Sequence, residues 1–69
     1  MQIEWVDGFE IRVRVVGGET TISANREGLL SLARQLTALA EAAPGDHIHY
    51  DDSNALEAGS AELIIERVS

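Results

Sequence analysis

The chain has no cysteine and no lysine, a single proline, and one each of tryptophan, tyrosine and phenylalanine among its 69 residues. Without cysteine there is no disulfide, thiol nucleophile, zinc ribbon or redox motif, and the absence fits a reducing compartment. No apolar run approaches the roughly 18 residues that a membrane span requires. No basic-then-apolar leader opens the sequence, so the expected location is cytoplasmic. Positive charge is scarce: five arginines stand against twelve aspartates and glutamates, a net charge of -7. Such a surface repels nucleic-acid backbones and offers no basic groove for phosphate. It would attract a basic protein partner, although acidity also serves solubility alone. The length gives room for one domain, residues 1–69, with a core so small that dimerisation would be a common remedy.

What is present begins with a strand meander. From Phe9 to Val15 apolar and charged residues alternate, the period-2 signature of a half-buried strand. Phe9, Ile11, Val13 and Val15 are expected to face the core, and Glu10, Arg12 and Arg14 the solvent. Gly17-Gly18 is a two-residue hairpin loop, because both positions take positive φ without steric cost. That register sets Val15 opposite Thr20 and Val13 opposite Ile22. Before this hairpin, a three-residue loop of Val6-Asp7-Gly8 with Gly8 left-handed pairs Trp5 with Phe9 and Ile3 with Ile11. It sets Glu4 against Glu10, at a cost of roughly 0.2–1 kcal/mol. Burial of two large apolar side chains, about 1.5–3 kcal/mol each, outweighs that cost and makes Trp5 a core residue.

A helix follows. Asn25 is a good N-cap, and Leu29, Leu32, Ala33, Leu36, Leu39, Ala40 and Ala43 recur at intervals of three and four. This spacing predicts one apolar stripe packed on the sheet, ended by Pro44-Gly45. Gly28 in the first turn costs about 1 kcal/mol relative to alanine. Close backbone approach is the expected reason for it; the alternative, an anion at the helix N-terminus, is disfavoured by Glu27 at that positive end. Beyond the helix come a short strand carrying His47 and His49, a turn-rich loop from Asp51 to Ser60, and a final strand, Glu62 to Val68. Its Leu63-Ile64-Ile65 run suggests a strand well inside a sheet. The order is β-β-β-α-β-β. It predicts a two-layer α+β fold, a mostly antiparallel sheet of about five strands with one helix on one face.

One helix covers one sheet face, which leaves Glu4, Glu10, Arg12, Arg14, Thr21, Ser23, His47 and His49 on a flat polar surface. Enzyme pockets are concave and largely apolar, so such a face suits another protein better than a substrate. His47 and His49 share one side of their strand, while Ile48 and Tyr50 share the other. A metal reading would add Asp46, Asp51 or Asp52 as a third ligand, but no interval is diagnostic and no metalloprotease motif is present. No nucleophile or positioned carboxylate pair accompanies the histidines. The segment from Asp51 to Glu57 lacks the ligand spacing and central glycine of a calcium loop; its Asp, Ser and Asn residues fit turns, and Leu56 should plug back onto the core. The residue-level reading is therefore a non-enzyme with no catalytic, cofactor-binding or metal-binding residues. Its partner-contact candidates are Glu10, Arg12, Arg14, His47, His49, Asp51 and Asp52, and histidine would make such a contact pH-dependent.

Several segments resemble the immunity protein 32 family of bacterial polymorphic toxin systems. They are Asn25-Arg26-Glu27-Gly28-Leu29, the continuation through Leu32-Ala33 and Leu36, His47-Ile48-His49, and Ser60-Ala61-Glu62-Leu63-Ile64-Ile65. Their order and spacing span Ser23 to Val68. The resemblance implies a small cytoplasmic protein that neutralises a cognate toxin by direct contact, and it carries over no catalytic residue. The competing expectation is a homodimeric structural or regulatory protein with no toxin target.

Overall fold

A computed structural model describes all residues from Met1 to Ser69. It contains β1 (Ile11–Val16), β2 (Glu19–Ala24), α1 (Arg26–Ala40), β3 (His47–Tyr50) and β4 (Leu63–Glu66). The strands form two separate antiparallel pairs, β1 with β2 and β3 with β4. The fold is α+β, but with four strands rather than about five, and with two small sheets rather than one.

The missing strand is the N-terminal one, and its backbone hydrogen bonds show why. The Val6 N–H donates to Ser31 Oγ at 2.8 Å, and Gln35 Nε2 donates to the Glu4 carbonyl at 2.8 Å. Helix side chains thus take the groups that a ladder closed by Val6 and Phe9 would have used. Ile3 accordingly has no partner in β1 and is 39 % exposed. The turn differs as well: Gly8 is left-handed at φ +84°, but the Phe9 N–H donates to the Val6 carbonyl at 3.2 Å, which closes a two-residue Asp7-Gly8 turn in place of the expected three-residue loop. Trp5 is half-buried against the core, stacked on Phe9 at 4.3 Å and edge-on to Tyr50 at 6.3 Å.

The β1–β2 hairpin turns through Gly17 and Gly18 at φ +58° and +84°, with Val15 opposite Thr20 and Val13 opposite Ile22 as the sequence indicates. Ile11 and Val13 are buried, whereas Val15 is 57 % and Ile22 42 % exposed. The expectation that Val15 faces a closed core is therefore overturned. The helix covers the proximal end of the hairpin and leaves the distal end open.

Helix α1 begins where capping chemistry places it. Asn25 Oδ1 accepts from the N–H groups of Gly28 (2.8 Å) and Glu10 (3.0 Å), and its amide donates to the Gly8 carbonyl at 2.9 Å. One side chain ties the helix start to the N-terminal turn and to the approach to β1. Gly28 is there for close approach: a Cβ would stand 2.5 Å from the Glu10 carbonyl oxygen and 2.9 Å from Ile11 Cγ1. The helix stops at Ala40, ahead of Ala43 and Pro44. The Glu41 N–H bonds to the carbonyls of both Thr37 and Ala38, and the Arg67 guanidinium donates to the Ala42 carbonyl.

The buried side of α1 is Gly28, Ser31, Leu32, Gln35 and Leu39. Leu32 and Leu39 are as expected, but Leu29 and Leu36 are 56 % and 47 % exposed. The helix is rotated so that two polar side chains enter the interior, where each has work. Ser31 Oγ also donates to the Glu27 carbonyl, and Gln35 Oε1 accepts from the Tyr50 hydroxyl at 2.7 Å. No buried side-chain nitrogen or oxygen is left without a partner.

In β3, Ile48 and Tyr50 are buried while His47 and His49 are exposed, the alternation read from the sequence. β4 is shorter than expected and alternates too: Leu63 and Ile65 pack on the core, but Ile64 is 59 % exposed, so the strand is not enclosed on both faces. The two hairpins are joined by the loop between β3 and β4. The N–H groups of Glu57 and Ala61 donate to the Ile11 and Val13 carbonyls at 2.9 Å, and the Val13 N–H donates to Ser60 Oγ at 3.2 Å. Leu56, 6 % exposed, completes a core with Ile11, Val13, Leu32, Leu39, Ile48 and Tyr50.

Candidate functional site

The seven candidate contact residues fall into two groups. Glu10 and Arg12 lie beside the start of β1, where with Ser23, Asn25 and Glu57 they border a groove of about 390 Å³. The Arg12 guanidinium donates to the Ala58 carbonyl at 3.1 Å, so this arginine clamps the returning loop as well as meeting solvent. Arg14 is exposed one repeat further along β1, across from Thr21. His47, His49, Asp51 and Asp52 belong to the second hairpin and the loop that leaves it.

In that second group, His49 Nε2 sits 3.8 Å from Glu62 Oε2 and 4.0 Å from Asp51 Oδ2. These are loose, exposed ion-pair distances, of the kind that contributes roughly 0–1 kcal/mol. His47 and His49 stand opposite Glu66 and Ile64 in the β3–β4 register, so one small face carries two imidazoles, a carboxylate and an exposed isoleucine. Asp51 has a structural duty besides: its Oδ1 accepts from the N–H groups of Ser53 (2.8 Å) and Asn54 (3.0 Å). The carboxylate of Asp52 reaches the Gly59 N–H at only 3.4 Å and is otherwise free to face solvent. The loop is thus turn chemistry, as its composition indicates. No three His, Asp or Glu side chains are grouped closely enough to hold a metal ion.

The arrangement also shows a charge division that the net value conceals. Between residues 41 and 66 there are seven carboxylates (Glu41, Asp46, Asp51, Asp52, Glu57, Glu62 and Glu66) and no arginine. Four of the five arginines, at 12, 14, 26 and 34, lie on β1 and α1. Glu57, Glu62 and Glu66 thus join the acidic half. The signal that could have found them is the spacing of carboxylates from Glu41 to Glu66 with no arginine between.

The groups missed by sequence reasoning are Ser31 and Gln35. They are four apart on the helix, and Tyr50 supplies a buried hydroxyl that needs a partner. That combination was the available signal. Burial pushes the Tyr50 phenol above its ordinary value of 10.0. This group is enclosed and fully bonded, so it organises the interior and offers nothing to a substrate. A second groove, of about 520 Å³ between the N-terminal segment and α1, is bordered by Gln2, Glu4, Arg34, Thr37 and Glu41 and contains no nucleophile–base pair. No helix is long and apolar enough to cross a membrane.

Neither the curated proteins nor the solved structures contain a match to the chain. The family model described as Immunity protein 32 matches residues 19–68, which takes in β2, α1, β3 and β4 and leaves out the N-terminal segment and β1. The match covers well over half of the sequence, and the chain belongs to the Immunity protein 32 family.

Proposed function

We propose that this protein is a non-enzymatic immunity protein, which binds a cognate bacterial toxin in the cytoplasm and neutralises it by direct contact. The family match over residues 19–68 carries the reading. The contact surface is the acidic half: His47, His49, Asp52, Glu62 and Glu66 around the exposed Ile64. An apolar centre with a charged rim is the usual anatomy of a protein interface. Seven carboxylates against the single Arg67 favour a basic toxin, whose encounter they would accelerate.

The test is co-expression with a candidate toxin gene taken from the neighbourhood of this gene in its native genome. Growth should be rescued, and the purified pair should associate more slowly as salt rises. A triple substitution, Asp52→Asn with Glu62→Gln and Glu66→Gln, should reduce the association rate by about tenfold at low salt. Asp51 is left alone, because its turn would be lost with its charge. Salt-independent association would overturn the acidic-face assignment. Failure of rescue with a folded, co-expressed pair would favour the alternative, a homodimeric protein with no toxin target.

A further inference from the structure

The first hairpin ends in an edge that nothing occupies. In a two-residue hairpin closed by Val16 and Glu19, hydrogen-bonded and non-bonded pairs alternate. Arg14–Thr21 and Arg12–Ser23 therefore exchange hydrogen bonds, and the N–H and C=O groups of Thr20 and Ile22 point away from β1. The corresponding outward groups of β1 are taken by Glu57, Ser60 and Ala61. Those of β2 bond to no other segment. Edge strands are ordinarily blunted by charge, proline or a bulge; β2 carries only Glu19, at its very end.

Four exposed apolar side chains, Val15, Ile22, Leu29 and Leu36, stand beside this edge. Val15 and Ile22 stand on the sheet face that α1 covers only in part. Ser31 and Gln35 turn one flank of the helix toward the N-terminal segment and Tyr50. At 100° per residue, Leu29 and Leu36 fall on the other flank, the hairpin side. Charge selects the occupant. Thr20 to Asn25 is uncharged, as are Leu29 and Leu36, in a chain with a net charge of -7. Two copies would repel least here, whereas a basic partner has nothing to grip.

We propose that β2 is a homodimer interface, pairing antiparallel with β2 of a second copy about a two-fold axis at Ile22. This register sets Ile22 against its own symmetry mate and Thr20 against the partner's Ala24. The two Glu19 side chains go to opposite ends of the new ladder, so no like charges meet. The apolar side chains of both copies close over one another on the helix side. The β3–β4 face stays free, and the proposal stands independently of the toxin reading.

Sedimentation equilibrium of the full chain over a concentration series tests it. The expected result is a mass rising from 7.5 kDa to twice that value, with dimerisation favoured by added salt, which screens the net repulsion. Ile22→Glu, at a position already half-open to water, should raise the dissociation constant by about tenfold or more while leaving the circular dichroism unchanged. In the unsubstituted protein, hydrogen exchange at the Thr20 and Ile22 amides should slow as concentration rises, and that at Thr21 should not. A 7.5 kDa species at every concentration would overturn the proposal, and so would a dimer whose Thr20 and Ile22 amides exchange as in the monomer.

Discussion

The two hairpins share an antiparallel geometry and differ in almost everything else. β1–β2 is six residues a side, turns through two glycines, and carries Arg12 and Arg14 on its solvent face. β3–β4 is four residues a side, closes only after the long segment 51–62, and stands amid carboxylates. The first hairpin is docked by the buried Ile11 and Val13 and also by close approach to the helix backbone, where Gly28 lets α1 touch the Glu10 carbonyl and Ile11. The second is held by buried side chains: Ile48, Tyr50 and, from its loop, Leu56. Close backbone packing leaves no room for substitution but frees the exposed face of β2. Side-chain anchoring from one face of β3 frees the other face for charge and histidine. Each hairpin therefore keeps one surface available, and the two surfaces have opposite chemical character.

The largest effect should come from spoiling the main-chain dock. Gly28→Ala forces a Cβ against the Glu10 carbonyl, and overpacking of this kind costs about 1–3 kcal/mol. Denaturant melts should show a clear loss; an unchanged midpoint would mean that Ile11 and Val13 hold the first hairpin without the close approach at Gly28.

A smaller effect is expected from the second anchor. Tyr50→Phe leaves the Gln35 carbonyl oxygen without its donor and should cost about 1–2 kcal/mol at neutral pH. Its pH dependence is more diagnostic. The native phenol holds its proton more tightly than the unfolded one, so its contribution is fully present below the unfolded value of about 10. It is lost as pH climbs through the raised native value. Alkaline melts of the native protein should weaken there, and those of Tyr50→Phe should weaken less. Equal alkaline slopes would remove Tyr50 from the account.

The smallest effect belongs to the exposed face of the second hairpin. His49→Gln breaks only the 3.8 Å and 4.0 Å pairs with Glu62 and Asp51, and stability should move by less than about 0.5 kcal/mol. A loss comparable to that of Tyr50→Phe would show that this face holds the fold together rather than standing ready for a partner.

Much of this was legible in the sequence wherever the cause was local. The Asn25 cap, the Gly17-Gly18 turn with its register, the left-handed Gly8 and the outward side of His47 and His49 all follow from neighbours in the chain, and Gly28 marked a close approach without naming Glu10 and Ile11 as what it meets. The N-terminal strand and the helix face were not legible, and for one shared reason. Apolar spacing favoured Leu29 and Leu36 inward, but Ser31 and Gln35 have backbone and phenol partners that arrive from distant segments. Tertiary hydrogen bonding overrode both the period of the helix and the alternation of the first strand. Of the candidate contacts, the acidic run was visible in composition. The division into two surfaces needed the fold.

The bonds from Glu57 and Ala61 to β1 set an order of events for the growing chain. Hairpin β1–β2 and helix α1 bring together residues close in sequence, which form early because little loop-closure entropy opposes them. The second edge of β1 stays unpaired until a segment about 47 residues further on has been made, as the Val13–Ser60 bond shows. During synthesis the nascent protein thus carries an unfinished strand on each side. The chain's own tail heals only one of them.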